Sequence, residues 1–197
     1  MLGGIELTDF RSYRRLELSL SSPASIFIGA NGQGKTNLLE AVFFLSFLRS
    51  FRTSSLRDLC GEGASSFRVA GEISPKTDGW TRRLQAEYGD KRRLLIDDRV
   101  VPTSSEFIGQ FKVVAFTPED LRLVNGPATL RRRFLDMVLS AADPAYFLAL
   151  REYAVALKSR NAALRSSQAD VNRAAGSFEP VLAANGAAIV NARRKMI

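Results

Sequence analysis

Gly29-Ala30-Asn31-Gly32-Gln33-Gly34-Lys35-Thr36 fills every fixed position of the phosphate-binding pattern G-x-x-x-x-G-K-[ST]. The apolar run Ile26-Phe27-Ile28 before it reads as a short strand. Asn37-Leu38-Leu39-Glu40-Ala41-Val42-Phe43-Phe44-Leu45 after it reads as a helix. Strand, glycine-rich loop and helix in that order give the pattern a physical meaning. Three glycines let successive backbone N–H groups turn inward round a polyphosphate, in dihedral regions that a Cβ disfavours. The helix start adds unpaired N–H groups and the positive end of its dipole. Lys35 is then expected on the β- and γ-phosphates and the Thr36 hydroxyl on Mg²⁺. The stretch reads as a nucleoside triphosphate site in an α/β domain.

Upstream, Ile5 to Phe10 and Leu16 to Leu20 alternate apolar and polar residues as half-buried strands do, and Ser21-Ser22-Pro23 makes a turn before the loop. Downstream, Arg49 to Ser55 breaks the helix, and Ser55 is placed to cap a short helix through Leu59. Phe67 to Ile73, Arg83 to Tyr88, Arg92 to Ile96 and Lys112 to Phe116 then read as strands of a mostly antiparallel meander. Turn formers such as Pro75-Lys76-Thr77-Asp78-Gly79 and Gly89-Asp90 separate them. From Pro118 the period becomes helical. Leu130 to Ser140 forms one helix and Pro144 opens another, at a position proline tolerates. Tyr146, Leu150, Tyr153, Leu157 and Leu164 make a heptad seam. A polar break over Ser166 to Ser177 precedes a second helical run from Phe178, so the two helices form either an antiparallel arm or an ordinary packed pair. The expected division is 1–117 for the P-loop head and 118–197 for the helical arm.

Composition narrows the function. The chain has 197 residues, 28 Lys plus Arg against 20 Asp plus Glu, and a net charge of +8, which favours a polyanionic partner. No histidine is present, so His-based catalysis and His-ligated metal sites are excluded. The lone Cys60 rules out an internal disulfide and reads as a small buried hydrophobe on a helix. No run of apolar residues is long enough to cross a membrane and the first 30 residues carry many charges, so a soluble, cytoplasmic protein is expected.

A P-loop hydrolase also needs a strand that ends in a carboxylate, to hold Mg²⁺ and position water. Leu94-Leu95-Ile96-Asp97-Asp98 is the candidate, with Asp97 or Asp98 as the Mg²⁺ ligand of a compact phosphotransferase. The preferred reading makes Asp97-Asp98 a hairpin turn, because Arg92-Arg93 directly before and Val100-Val101 directly after suit an exposed hairpin better than a buried strand. Arg131-Arg132-Arg133 fans round a helix and serves either as a solvated face, as a phosphate or DNA contact, or as a brace to a carboxylate such as Asp136. Residues 151–197 carry eight basic and three acidic residues, net +5, and a helical arm so charged can neutralise nucleic-acid phosphates or simply face solvent.

Four separated segments resemble one family in a single register. GANGQGKTNLLEAVFFLSFLRSFRTS from Gly29, VVAFTPEDLRLVNGPATLRRRFLDMVLSAADPAYF from Val113 to Phe147, LKSRNAALR from Leu157 to Arg165, and the opening LTDFRSYRRLEL resemble the RecF family of bacterial DNA repair proteins. The second segment is far more specific than a P-loop. The resemblance implies an ABC-type P-loop ATPase head related to SMC ATPases, with a helical arm inserted. It implies ATP and Mg as cofactors, and a role in DNA replication, repair of DNA damage and the SOS response. Single-stranded and gapped double-stranded DNA are the implied ligands, with RecO and RecR as partners in loading RecA and an ATP-dependent homodimer as the switch.

Carried residue by residue, Gly29 to Asn37 hold the nucleotide, Thr36 holds Mg²⁺, and Arg11 and Ser12 fall where related heads place nucleotide contacts. Thr117 to Asp120 fall near the loop that senses the γ-phosphate. Arg131, Arg132, Arg133, Lys158 and Arg160 are the DNA-contact candidates. The family's signature segment and its Walker B carboxylates are expected beyond residue 197, so residues 1–197 read as an N-terminal portion with little or no hydrolysis of its own. Phe51 stands near a place where the family often carries histidine.

Overall fold

Strand β1 (Leu2–Phe10) turns Ile5 and Leu7 to one side, and Asp9, with a left-handed φ of 48°, interrupts the alternation so that Phe10 also reaches the core. It pairs with β2 (Tyr13–Ser19), then along its other edge with β3 (Phe67–Ile73). A meander continues through β4 (Arg82–Tyr88), β5 (Arg93–Ile96) and β6 (Arg99–Val100). The result is a six-stranded sheet in the order β2-β1-β3-β4-β5-β6, with every neighbouring pair antiparallel. This is a computed structural model that describes residues 1–74, 80–165 and 175–196. The turn formers at 75–79 and most of the polar break, 166–174, lie outside the described residues.

Helix α1 (Lys35–Phe47) lies on the sheet because Leu38, Ala41, Phe44 and Leu45 share one side of it. They meet two rows that run across the strands in register. One row is Leu7, Val69, Ala86 and Leu94; the other is Ile5, Gly71, Leu84 and Ile96. Gly71 is required by this packing, since a Cβ there would sit 2.7 Å from Leu45 Cδ2. Phe10, Phe44 and Phe67 interlock edge-on or tilted at one end, where Tyr88 stacks on Phe67. Each fully buried Leu or Phe side chain contributes about 1.5–3 kcal/mol. The other face of the sheet is laced with charge: Glu6 pairs with Arg83 at 2.8 Å and Arg68 at 3.6 Å, and Glu87 with Arg93 at 3.6 Å. Such exposed pairs contribute at most about 1 kcal/mol each.

Two expected strands do not form. Among the described residues Ile26–Ile28 and Lys112–Phe116 join no ladder, and Ile26, Ile28, Val114 and Phe116 are largely exposed. Apolar composition alone makes no strand without a neighbour to take its N–H and C=O groups. The short helix after Ser55 is a 3₁₀ turn, Leu56–Leu59, and Ser55 contributes its backbone carbonyl to the Asp58 N–H rather than a hydroxyl cap. Cys60 sits just after that turn, bridged to Phe10 and only partly buried, and not on a helix. Helix α2 (Ser104–Phe107) buries Phe107 in the same core.

The chain divides into two units, Met1–Ala115 and Phe116–Ile197. The second holds a 3₁₀ turn at Pro118–Leu121, α3 (Arg122–Asn125), α4 (Ala128–Ala142), α5 (Pro144–Arg165) and α6 (Glu179–Met196). Helices α5 and α6 run antiparallel, as the pairs Tyr146 with Arg193, Glu152 with Asn185 and Arg160 with Glu179 require. The seam differs from the heptad reading. Tyr146, Tyr153 and Ala156 turn inward and Arg160 continues the line, while Leu157 and Leu164 are exposed. Gly186 makes room for the Tyr153 ring, which a Cβ would approach to 3.3 Å.

Candidate functional site

The loop before α1 is shaped by two glycines rather than three. Gly32 and Gly34 adopt φ of 83° and 88°, whereas Gly29 is not in the left-handed region. At Gly34 the requirement is double: a Cβ would lie 2.8 Å from Tyr13 Oη and 3.0 Å from Ser12 Oγ. The β1–β2 turn is therefore packed against the loop. The Gly34 carbonyl accepts the first helical bond, from Leu38 N–H, so the amides of Lys35, Thr36 and Asn37 lie in the opening turn of α1, where a helix has no carbonyl of its own to offer them. Lys35 Nζ donates to the carbonyls of Gly29 and Ala30, both at 2.7 Å, and so ties the start of the loop to its end. The Thr36 side is open to solvent. Lys35, the two left-handed glycines and the free amides at the head of α1 thus stand together, an arrangement suited to a polyphosphate.

Behind the loop stands a residue the motif did not point to. Glu40 is fully buried on α1 and accepts from Arg11 twice, Nε at 2.9 Å and Nη2 at 2.8 Å, from the Ser50 hydroxyl, and from Arg52 Nη1 at 3.3 Å. Arg52 Nη1 also reaches Asn37 Oδ1 at 2.9 Å, and Asn37 Nδ2 donates to Ser12 Oγ at 2.9 Å. The remaining donor of Arg11, Nη1, goes to the Asp58 carbonyl at 2.7 Å. Thus Ser12, Asn37 and Gly34 come together at the loop, while the guanidinium of Arg11 is taken up by Glu40 and Asp58. The signal for Glu40 was a lone carboxylate in the apolar run Leu38 to Leu45. Its partners, distant in sequence, left none.

Asp97 and Asp98 occupy the β5–β6 turn with φ of 49° and 61°, as the hairpin reading expects. Asp97 Oδ1 accepts from Arg83 N–H at 2.9 Å and Oδ2 lies 3.4 Å from Arg82 Nε, which fixes the turn. Among the described residues no group of three or more His, Cys, Asp or Glu could hold a metal. Thr117 N–H and hydroxyl both donate to Asp120 Oδ2, at 2.6 and 3.0 Å, and close the 3₁₀ turn in the second unit.

The basic candidates separate. Arg131 Nη1 donates to the carbonyls of Gly126 at 2.8 Å and Leu123 at 3.3 Å, finishing α3 and its turn. Arg132, Arg133 and Lys158 are exposed, and Arg160 lies 3.8 Å from Glu179. The brace on Asp136 comes from α6 rather than from the arginine run. Arg193 gives Asp136 Oδ1 two bonds, Nε at 3.0 Å and Nη2 at 2.6 Å, and the Tyr146 hydroxyl donates to the same oxygen. Burial, and then that bond to Asp136, push the Tyr146 phenol up to about 12. Burial works against the charge of Arg193, but Asp136 and Tyr146 outweigh it and raise its pKa. No helix among the described residues is long and apolar enough to cross a membrane.

Comparison with known proteins places this geometry in a family. The model of the RecF/RecN/SMC N terminal domain matches residues 1–167. The DNA replication and repair protein RecF of Acidothermus cellulolyticus is 39% identical over 202 residues, covering 100% of this chain and 54% of that protein. The RecF of Myxococcus xanthus is 37% identical, covering 98% of this chain and 50% of its own length. The chain thus spans about half the length of the curated relatives it matches. The solved structure of the recombination mediator protein RecF-ATPrS in the RecFOR pathway superposes with a TM-score of 0.90 at 28% identity, over 100% of this chain and 54% of that one. A structure described under ATP-driven dimerization and DNA stimulated activation of SMC ATPases shares the fold, with a TM-score of 0.53 at 22% identity over 68% of this chain.

Proposed function

We propose that this chain, which belongs to the RecF/RecN/SMC N terminal domain family, supplies the phosphate-binding half of an ATP-dependent DNA replication and repair protein of the RecF type. The observation that carries the reading is the preset cradle: Gly32 and Gly34 in the left-handed region, and Lys35 lying across the carbonyls of Gly29 and Ala30. The loop amides and Lys35 would hold the β- and γ-phosphates of ATP. Gly29, Ala30, Asn31, Gly32, Gln33 and Gly34 form the wall, and Asn37 and Ser12 hold the first turn of α1 in place. The Thr36 hydroxyl is the group of this chain that would hold Mg²⁺. When bound, the ion would supply positive charge that offsets that of the triphosphate. Relatives solved as RecF-ATP and RecF-ATPrS support this choice of nucleotide.

The finer proposal is that ATP binding acts as a dimerisation switch in the complete protein. The protein would act at single-strand gaps, on single-stranded and gapped duplex DNA, with RecR and RecO to promote RecA loading. The RecFOR pathway of the structural relative supports the partners. The exposed Arg132, Arg133 and Lys158 are the DNA contacts we favour, since Arg131 and Arg160 are already engaged within the fold. The test is Lys35→Ala in the complete protein. ATP binding is expected to disappear, while DNA affinity at low salt survives because phosphate neutralisation by the arginines and Lys158 does not involve the loop. Loss of both together contradicts two separate sites, and loss of neither contradicts the role of Lys35 at the nucleotide.

A further inference from the structure

Glu40 is the one carboxylate among the described residues whose side chain is wholly enclosed, and it faces two guanidiniums. Its bonds to them are unequal. Arg11, 19% exposed, grips both oxygens at 2.8–2.9 Å, whereas Arg52, 45% exposed, reaches one oxygen at 3.3 Å and divides its Nη1 with Asn37. One negative and two positive charges leave a surplus of +1 directly behind the residues that follow Thr36. A buried carboxylate held by a two-point fork is a rigid anchor, because removing either partner strands a charge.

The anchor joins three pieces of chain. Arg11 leads to Ser12 and Tyr13, which pack on Gly34. Asn37 and Glu40 belong to the first turns of α1. The Ser50 hydroxyl donates to Glu40 and in turn accepts from Arg52 N–H at 2.8 Å and Thr53 N–H at 3.1 Å. Thr53 Oγ1 then holds Asp58 Oδ2 at 2.5 Å, and the Gly61 N–H donates to Asp9 O at 2.6 Å, so residues 50–61 close back on the β1–β2 turn.

We propose that Glu40 is a positioning residue that clamps the Arg11–Tyr13 turn and the 50–61 segment to the start of α1, so that a nucleotide triphosphate in the loop is transmitted to residues 50–61. The inference rests on the nucleotide reading above. An anion at the head of α1 acts on the surplus charge of Arg52, and Arg52 shares Glu40 and Ser50 with the backbone of the segment. Occupancy therefore tightens the amides of Arg52, Thr53 and Gly61.

Residue-resolved hydrogen exchange on the complete protein, with and without Mg-ATP, tests this in the native chain and in Glu40→Gln, which keeps the side-chain volume and removes the charge. In the native chain ATP is expected to slow exchange at Arg52, Thr53 and Gly61. In Glu40→Gln ATP still binds, β1 and β3 keep native protection, and the response at those three amides is lost. A response that survives in Glu40→Gln, or that is absent from an ATP-bound native chain, overturns the proposal. A native chain that binds no ATP overturns the nucleotide reading instead. If Glu40→Gln fails to bind, Ser50→Ala decides, since it removes the hydroxyl that links Glu40 to the amides of Arg52 and Thr53 and touches nothing in the phosphate loop. ATP binding with the Arg52 and Thr53 response lost supports the clamp, and an undiminished response sinks it.

Discussion

In residues 1–115 helix α1 buries Leu38, Ala41, Phe44 and Leu45 on one sheet face, whereas in residues 116–197 three longer helices bury only Tyr146, Ala156 and Ile189 among the described residues. The first unit is held by apolar area and uses its buried charge, Glu40, beside the phosphate loop. The second leaves Leu121, Val124, Phe134 and Val155 well exposed and is fastened by the polar knot of Asp136, Tyr146 and Arg193. The first unit is organised round an apolar core, and the second round a knot that contains a phenol pushed up by burial and by its bond to Asp136.

Phe44→Ala should damage the first unit most. It opens a cavity among Phe10 and Phe67 and is expected to cost about 3–5 kcal/mol, read as a fall in the denaturation midpoint of residues 1–115. A cost below about 1 kcal/mol would mean that the sheet face is not a close-packed core.

A smaller effect sharpens the other side. The Tyr146 pKa is raised from near 10 to about 12 in the fold, so the protonated phenol stabilises the native state. That contribution is fully present below pH 10 and is lost as pH rises through about 12. Tyr146→Phe removes one hydrogen bond, costs about 1 kcal/mol at neutral pH, and should flatten the stability of α4–α6 between those two pH values. Stability that falls with the same slope in both proteins would exclude Tyr146 as the titrating group.

Legibility followed where the physical partners lie. The strands of the meander were readable because each pairs with its sequence neighbour, and Asp97-Asp98 was readable as a turn because arginines flank its strand. Ile26–Ile28 and Lys112–Phe116 have strand composition but no ladder partner among the described residues, and no local pattern reports that. The heptad in α5 failed at Leu157 and Leu164 because the seam is set by the partner helix, where Gly186 admits Tyr153 and Glu179 meets Arg160. At the site, the fixed positions from Gly29 to Thr36 were plain. Glu40, Ser50 and Arg52 were not, because the contact that gives each its role depends on how α1 seats against the sheet and the 50–61 segment.

The central claim is that the loop's backbone geometry, braced by Ser12 and Tyr13, makes the nucleotide site. Calorimetric titration of Mg-ATP into the complete protein and its Gly34→Ala variant tests it most directly. A methyl group at Gly34 meets Tyr13 Oη at 2.8 Å and sits at φ 88°, so the variant must distort the cradle. Strain of about 1–3 kcal/mol corresponds to a loss of affinity of about 5- to 150-fold. The native chain is expected to bind saturably and the variant to lose affinity in that range, with the core of residues 1–115 still folded. Equal affinity in the two proteins, or no binding by either, would contradict it.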